Sequence, residues 1–375
     1  TFTISMYDIT IIGGGVVGLS IARSLGERTG LSVIVIEKED SFGKGISSRN
    51  SEVIHSGIYY KPNSLKAKYC VEGRNYLYEY CKKNKIWFNN CGKLVVSKIH
   101  QQTEIEDLFK NAKDNGINNI EIIDKSEIKK LEPFVNSEIA LKVDCTGVLS
   151  AHDLMSSLYN KSKSFDHDYL FKSKVIGVNK KGSLYNIDIE NYYGEIEKLE
   201  CKWVVNAAGL DSDTVGSFLG LTIPSLKFLK GSYFKLASKW RGKFQHLVYP
   251  LPNTKEGSLG IHLTIDADQM ARLGPNAEWI KNRIEDYNVK ESLGSVFFEE
   301  GRKYIKDLEL TDITPDYAGI RPKILAQSDS MPDFYIKHED KKGFPGWINL
   351  IGIESPGLTA SLSIGDHIAD KIIEN

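Results

Sequence analysis

A neutral imidazole can take and hold a proton near neutral pH, and a guanidinium can grip a carboxylate through two parallel hydrogen bonds. His55 is the first candidate for such a base, His262 in GIHLT the second (as base or as donor to a hydroxyl), and Arg321 in GIRPK the candidate carboxylate anchor. A second anionic group on a substrate would need a further cation or several donors, for which Lys230, Tyr59, Tyr60, Tyr249 and Thr264 are available. Ser355 is a donor either to a substrate carboxylate or to a cofactor. His55 itself sits in GISSRNSEVIHSGIYYKPNS, residues 45–64, which packs Arg49, Asn50, Ser51, two tyrosines and Lys61 between glycines and a proline. A stretch so rich in hydrogen-bonding groups is either a solvated loop or the wrapping of something polar.

The elements just before it favour the second reading. Tyr7 to Ile12 is a β-branched run, Gly13-Gly14-Gly15-Val16-Val17-Gly18 follows, and Leu19 to Leu25 has helical spacing. In a strand, glycine turn and helix of this kind, Gly13 permits the tight turn and Gly15 lets the backbone approach a pyrophosphate. Gly18 lets the helix pack on the strand, and the helix N-terminus offers N–H groups to phosphates. The next apolar run, Leu31 to Ile36, ends at Glu37, about 20 residues past the glycines, where an acid binds ribose hydroxyls. A dinucleotide site is expected, and Glu37 argues against NADP, whose 2′-phosphate it would repel. The long polar excursion after Glu37 reaches toward the reactive end of an extended cofactor and makes a flavin the natural candidate over NAD.

Further along, 65–83, 101–115 and 126–131 read as helices, 91–97 and 140–148 as strands, and Ser150 or Asp153 as the cap of a helix running to Lys161. Strands at 174–179, 184–190 and 199–205 form a meander with Gly182 and Gly194 in its turns, ending in VVNAAG, where Ala208 and Gly209 allow close backbone approach to a ligand. Residues 227–236 and 247–263 read as long strands of a second, mostly antiparallel sheet, broken by a turn from Pro252 to Gly257. Trp347 to Ile351 is a last apolar strand, and GIESPGLT leads into a helix over 360–373 whose start can face the electron-rich side of a flavin. The fold class expected is α/β, α+β overall: a discontinuous Rossmann-like FAD-binding domain (6–90, 148–220 and 319–375) with a second antiparallel substrate domain (91–147 and 221–318).

With these segments in order, GGGVVGLSIARSL, SSRNSEVIHSGIYYKPNSLKAKYCVEG, CGKLVVS, VVNAAGL, KGSYF, YPLP, GIHLT, GPNAEW, GIRPK and GIESPGLTASLSIG, the chain resembles the L-2-hydroxyglutarate oxidase/dehydrogenase family, within the D-amino-acid-oxidase-like FAD flavoproteins. The resemblance covers nearly the whole chain. It implies FAD, a two-domain fold and oxidation of a 2-hydroxy acid to the 2-oxo acid by hydride transfer from Cα to flavin N5. It implies cofactor contacts from Gly13, Gly15, Gly18 and Glu37, from Ser48, Arg49, Asn50 and Ser51, from Ala208 and Gly209, and from Gly352, Gly357, Leu358 and Thr359. Val16, Val17, Lys38 and Val175 are counted with them. Ile351 stands where some relatives are expected to carry Tyr, so substrate contacts are not copied in detail. The FAD is expected to be held without a covalent bond.

Composition sets the remaining bounds. Hydrophobic residues at 41%, charged residues at 26% and a net charge of -1 fit a well-packed globular chain with no global pull toward nucleic acid or anionic lipid. No apolar run approaches the roughly 20 residues that span a bilayer. Residues TFTISM lack a signal-peptide pattern, and Met6 reads as the natural start behind leftover tag residues. Five cysteines without CxxC spacing argue against a disulfide framework or a zinc site, and fit a reducing cytoplasm. No metal is expected. The electron acceptor (oxygen, a quinone or a carrier protein) stays open, and a quinone would require peripheral contact at the inner face of a membrane. An amine, D-amino-acid or glycerol-3-phosphate oxidase of the same fold stays open too, as do a flavin-binding electron-transfer subunit without its own substrate and a nicotinamide dehydrogenase.

Overall fold

A computed structural model describes residues 5–252, 260–324 and 332–375. Its first sheet has a parallel core in the spatial order Asp168–Leu170, Val33–Ile36, Ser5–Ile12, Ile196–Asn206 and Trp347–Ile351. In sequence order this is the 3-2-1-4-5 arrangement of a Rossmann-like sheet, whose ligands lie beyond the carboxyl ends of the strands. The strand Val33–Ile36 is buried at all four positions, as expected where helices cover both faces. The meander continues the sheet antiparallel through Lys174–Lys181 and Leu184–Glu190. The helices Val16–Arg28 and Gly357–Ile373 touch so closely that a Cβ at Gly365 would meet the backbone of Ser20 at 2.8 Å.

Among the described residues the second sheet has nine strands, including Lys93–Ser97, Leu226–Leu236, Leu247–Pro250, His262–Ile265 and Ile313–Ile324. Among those strands the pairings are antiparallel except that of Leu247–Pro250 with Lys93–Ser97. Its buried face, with Val95, Leu141, Phe234 and Leu263, packs against Phe297 of the helix Gly294–Gly301 in the largest apolar cluster.

Three expectations are corrected. Residues 140–148 are two strands, Ile139–Val143 in the second sheet and Gly147–Leu149 in a separate three-stranded sheet. The turn between them carries the chain from one sheet to the other, which the continuous apolar pattern hides. The strand Ile313–Ile324 runs unbroken through the expected boundary at 318/319, so GIRPK belongs to the second sheet. The last helix begins at Gly357 rather than 360. The turn expected between Pro252 and Gly257 lies, beyond Pro252, outside the described residues. Ser150 is the cap at 150, accepting from the Asp153 N–H, and its helix runs to Lys163.

Candidate active site

Three strand ends converge on one cavity of about 800 Å³. At one end it is lined by Gly13, Gly15, Val16, Val17, Glu37, Lys38 and Val175, and at the other by His55, Tyr59, His262, Arg321 and Ser355. Arg49, Asn50, Ser51, Ala208, Gly209, Gly357 and Leu358 lie along it. The polar segment 45–64 is therefore a wall of the cavity rather than a solvated loop.

The glycine turn is built as its spacing requires. Gly13 has φ +110°, and a side chain there would strike the carbonyl of Ala207. A Cβ at Gly18 would strike the carbonyl of Gly13, so Gly18 allows the helix to sit against the turn from behind the cavity wall. Glu37 closes the turn, accepting from the Gly14 N–H at 2.7 Å and the Glu39 N–H at 2.9 Å. Burial raises its pKa against the pull of those two bonds. Lys38 bridges to Asp211 at 2.8 Å and Glu285 at 3.3 Å; burial alone would lower its pKa, but the two carboxylates outweigh it and raise it.

In the wrapping segment, Asn50 donates to the Ser47 carbonyl at 2.6 Å and accepts from the Glu52 N–H at 2.7 Å. The Arg49 guanidinium lies 4.0 Å over the Tyr287 ring. Gly319 is where this segment docks on the second sheet, since a Cβ there would collide with the Arg49 carbonyl. At the last helix, Ser355 to Leu358 line the cavity, so its N-terminal N–H groups and dipole favour an electron-rich group there.

At the proton-handling end His262 is buried and His55 half-buried, facing the cavity. His55 meets the Ser355 hydroxyl through Nε2 at 3.2 Å, and its backbone N–H donates to Thr359 Oγ1 at 2.9 Å. Burial, then the charge of Lys93, pushes its pKa down to about 3. His262 meets the Gly260 carbonyl through Nδ1 at 3.0 Å, and its ring stacks on Tyr249 with centroids 3.8 Å apart. A carbonyl only accepts, so Nδ1 carries the proton and Nε2 keeps a lone pair. Burial lowers its pKa to about 3 as well, with the charges of Lys93 and Arg321 adding to the effect. Both rings are thus neutral at physiological pH.

Arg321 is under-used: its Nε has no partner among the described residues, and its Nη2 makes one long bond, 3.4 Å, to the Asn276 carbonyl. Next to it Glu354 binds Lys66 at 2.9 Å and Lys323 at 2.7 Å. Burial opposes ionisation of Glu354, but Lys66, Lys323 and Arg321 hold its pKa at about 2.

Several expected residues do not reach the cavity. Lys230 points away, its ammonium held by Asp286 at 3.0 Å and the Asn288 carbonyl at 2.6 Å. Tyr249 lies behind His262, and Thr264 sits two residues beyond His262 on its strand; neither lines the wall. Ser48 bonds to its own turn at the carbonyls of Lys44 and Gly45. Gly352, with φ +70°, packs against Ile324, and Thr359 acts from behind by holding the His55 backbone. Ile351 is fully buried in an apolar cluster with Leu210, Phe228 and Ile320. Sequence reasoning passed over Lys66, Lys93, Lys323, Glu354 and Tyr233. The available signal was charge inside apolar strands and next to glycine, in KLVVS, GIRPK and GIESPG.

The family model for FAD dependent oxidoreductases (DAO) matches residues 8–371. The chain belongs to that family. Solved structures that align over nearly the whole chain share its fold. L-α-glycerophosphate oxidase from Mycoplasma pneumoniae with FAD bound aligns with a TM-score of 0.89 at 24% identity, covering 99% of this chain and 96% of that one. Glycine oxidase from Geobacillus kaustophilus aligns at 0.80 and 20% identity, covering 99% and 95%. Among curated relatives, the mitochondrial L-2-hydroxyglutarate dehydrogenase of Arabidopsis thaliana is 38% identical, covering 98% of this chain and 83% of its own. The Homo sapiens protein of the same name is 30% identical, with coverages of 98% and 89%. The L-2-hydroxyglutarate dehydrogenase of Escherichia coli is 27% identical, with 98% and 93%. The cavity fits the FAD that the family uses. Glycines without room for a side chain stand at the phosphate end, a continuous channel follows, and a helix N-terminus closes the far end. No helix among the described residues is long and apolar enough to cross a membrane.

Proposed function

We propose that this FAD dependent oxidoreductase oxidises L-2-hydroxyglutarate to 2-oxoglutarate. The observation that carries the reading is the set of two neutral imidazoles and a guanidinium with uncommitted donors facing one FAD-sized cavity. The similarity to L-2-hydroxyglutarate dehydrogenases over nearly the full chain supports the choice of substrate and its hand.

FAD bound in the cavity supplies the acceptor for the two electrons and hydrogen leaving the hydroxyl-bearing carbon. Arg321 grips the carboxylate beside that carbon through a forked pair of bonds. His262 is the better-prepared base, because its bond to the Gly260 carbonyl commits Nδ1 as donor and leaves Nε2 free to accept the hydroxyl proton. Its proton affinity rises when substrate arrives, since the incoming carboxylate offsets the charges of Lys93 and Arg321 that depress it. His55, fixed by Ser355 and Thr359, holds the hydroxyl from the other side. Tyr59, Tyr60 and Tyr233 line this end and keep water from it.

All five cysteines are free, which fits a reducing compartment such as cytoplasm, although the plant and human relatives carry a mitochondrial name. The test is turnover with an artificial electron acceptor. L-2-hydroxyglutarate should give stoichiometric 2-oxoglutarate, and turnover of glycerol 3-phosphate or an amine in its place would refute the reading.

A further inference from the structure

Lys93 is a buried amine with no carboxylate partner among the described residues. It begins the strand Lys93–Ser97, whose five residues are all buried, and is itself 1% exposed. Its ammonium lies 4.5 Å from the centre of the Tyr59 ring and 4.6 Å from that of Tyr249. Burial brings its pKa down to about 7, and no carboxylate among the described residues offsets that. The other buried lysines near the site are neutralised, Lys66 by Glu354 and Lys230 by Asp286. Burying an unpaired ammonium is unfavourable, and a fold that retains one beside its active cavity gains only when an anion arrives.

The surroundings of Lys93 select the anion. Tyr59 and His262 form the cavity wall in front of Lys93, and Tyr249 stacks on His262 from behind. The hydroxyls of Tyr59 and Tyr249 have no partner among the described residues. His262 feels the charge of both Lys93 and Arg321, the two cations here without a carboxylate of their own. A five-carbon hydroxy diacid carries two carboxylates and one hydroxyl, and these match two cations and the pair of imidazoles that faces the hydroxyl.

We propose that Lys93 is a specificity-determining positioning residue, whose charge behind the Tyr59–His262 wall draws the far carboxylate of a dicarboxylate substrate into place. This rests on reading the cavity as a 2-hydroxy-acid site. Lys93 replaces Lys230 as the second cation that a diacid requires, and it discriminates against acids of equal length that end in a methyl group.

The test pairs L-2-hydroxyglutarate with L-2-hydroxyvalerate, which has a methyl where the far carboxylate stands. In Lys93→Met, kcat/KM for the diacid should fall about thirty- to hundredfold more than kcat/KM for the monoacid, with the difference carried by KM. A second readout avoids turnover: glutarate should raise the melting temperature of the FAD-bound wild-type protein, valerate should not, and Lys93→Met should abolish the glutarate effect. Lys93→Arg should restore most of it. Equal losses on both acids, or glutarate stabilisation that survives in Lys93→Met, would overturn the proposal. If Lys93→Met does not retain FAD, Lys93→Gln and Lys93→Arg with the same ligand pairs decide it. Should the wild-type enzyme ignore L-2-hydroxyglutarate, the proposed function fails, and the glutarate–valerate comparison still decides the role of Lys93.

Discussion

Replacing Arg321 with Met keeps most of the side-chain volume and removes the fork. The structure makes this a clean perturbation. The strand stays in place because its backbone pairs with Leu226–Leu236, Arg321 standing opposite Leu229. Glu354 keeps Lys66 and Lys323, so no carboxylate is stranded. What disappears is a guanidinium whose only hydrogen bond among the described residues is the long one to Asn276. A forked pair of charged hydrogen bonds to substrate is worth about 2–4 kcal/mol in all. That corresponds to a fall in kcat/KM of roughly thirty- to a thousandfold. The assay is rapid-mixing bleaching of the flavin under anaerobic conditions across a range of substrate concentrations, with FAD content and melting temperature as controls. A variant that keeps its FAD and falls by less than about threefold would show that Arg321 is not the anchor.

Glu354→Gln leaves the ammonium groups of Lys66 and Lys323 without their shared carboxylate, and should destabilise the protein by about 3–5 kcal/mol, read as the urea midpoint. An unchanged midpoint would mean that the pairings carry no weight. His55 and His262 stay unprotonated in the fold down to about pH 3, whereas the unfolded chain protonates both near 6.5. Between those values the unfolded state binds more protons, so stability is lost as pH falls below 6.5, by roughly 1.4 kcal/mol per pH unit for each ring. Urea titrations from pH 7 to 5 should therefore show a steeper loss in the wild type than in a His55→Gln, His262→Gln double variant; equal slopes would contradict the burial argument. The cavity wall includes no cysteine among its described residues, and acid precipitation should leave the flavin in the supernatant. Flavin that stays with the pellet would indicate a covalent link.

The parallel sheet was legible because local and global requirements coincide in it. Gly13 and Gly18 have no alternative at their positions, and Val33–Ile36 shows the unbroken β-branched run of a strand covered on both faces. The wrapping segment was legible from the density of its polar groups. The second sheet was harder, since residues 140–148 keep an apolar pattern across a turn that changes sheets, and nothing local in Ile313–Ile324 marks where one sheet ends. At the site, His55, His262, Arg321 and Ser355 reach one cavity. Lys230 and Lys93 differ for a reason no single sequence exposes: both begin or interrupt apolar strands, and only the tertiary neighbours decide which meets a carboxylate. Asp286 lies within reach of Lys230, while aromatic rings surround Lys93. The Glu354 pairs likewise join positions 66, 323 and 354, which come together only through three separate elements.

The most direct measurement is anaerobic bleaching of the purified protein's flavin absorbance by L-2-hydroxyglutarate. Its D enantiomer, L-lactate, L-malate, glycerol 3-phosphate, sarcosine and D-amino acids are mixed in parallel. The account predicts a yellow protein that L-2-hydroxyglutarate bleaches rapidly and the others slowly or not at all. Rapid bleaching by an amine or by glycerol 3-phosphate, with none by L-2-hydroxyglutarate, would contradict it.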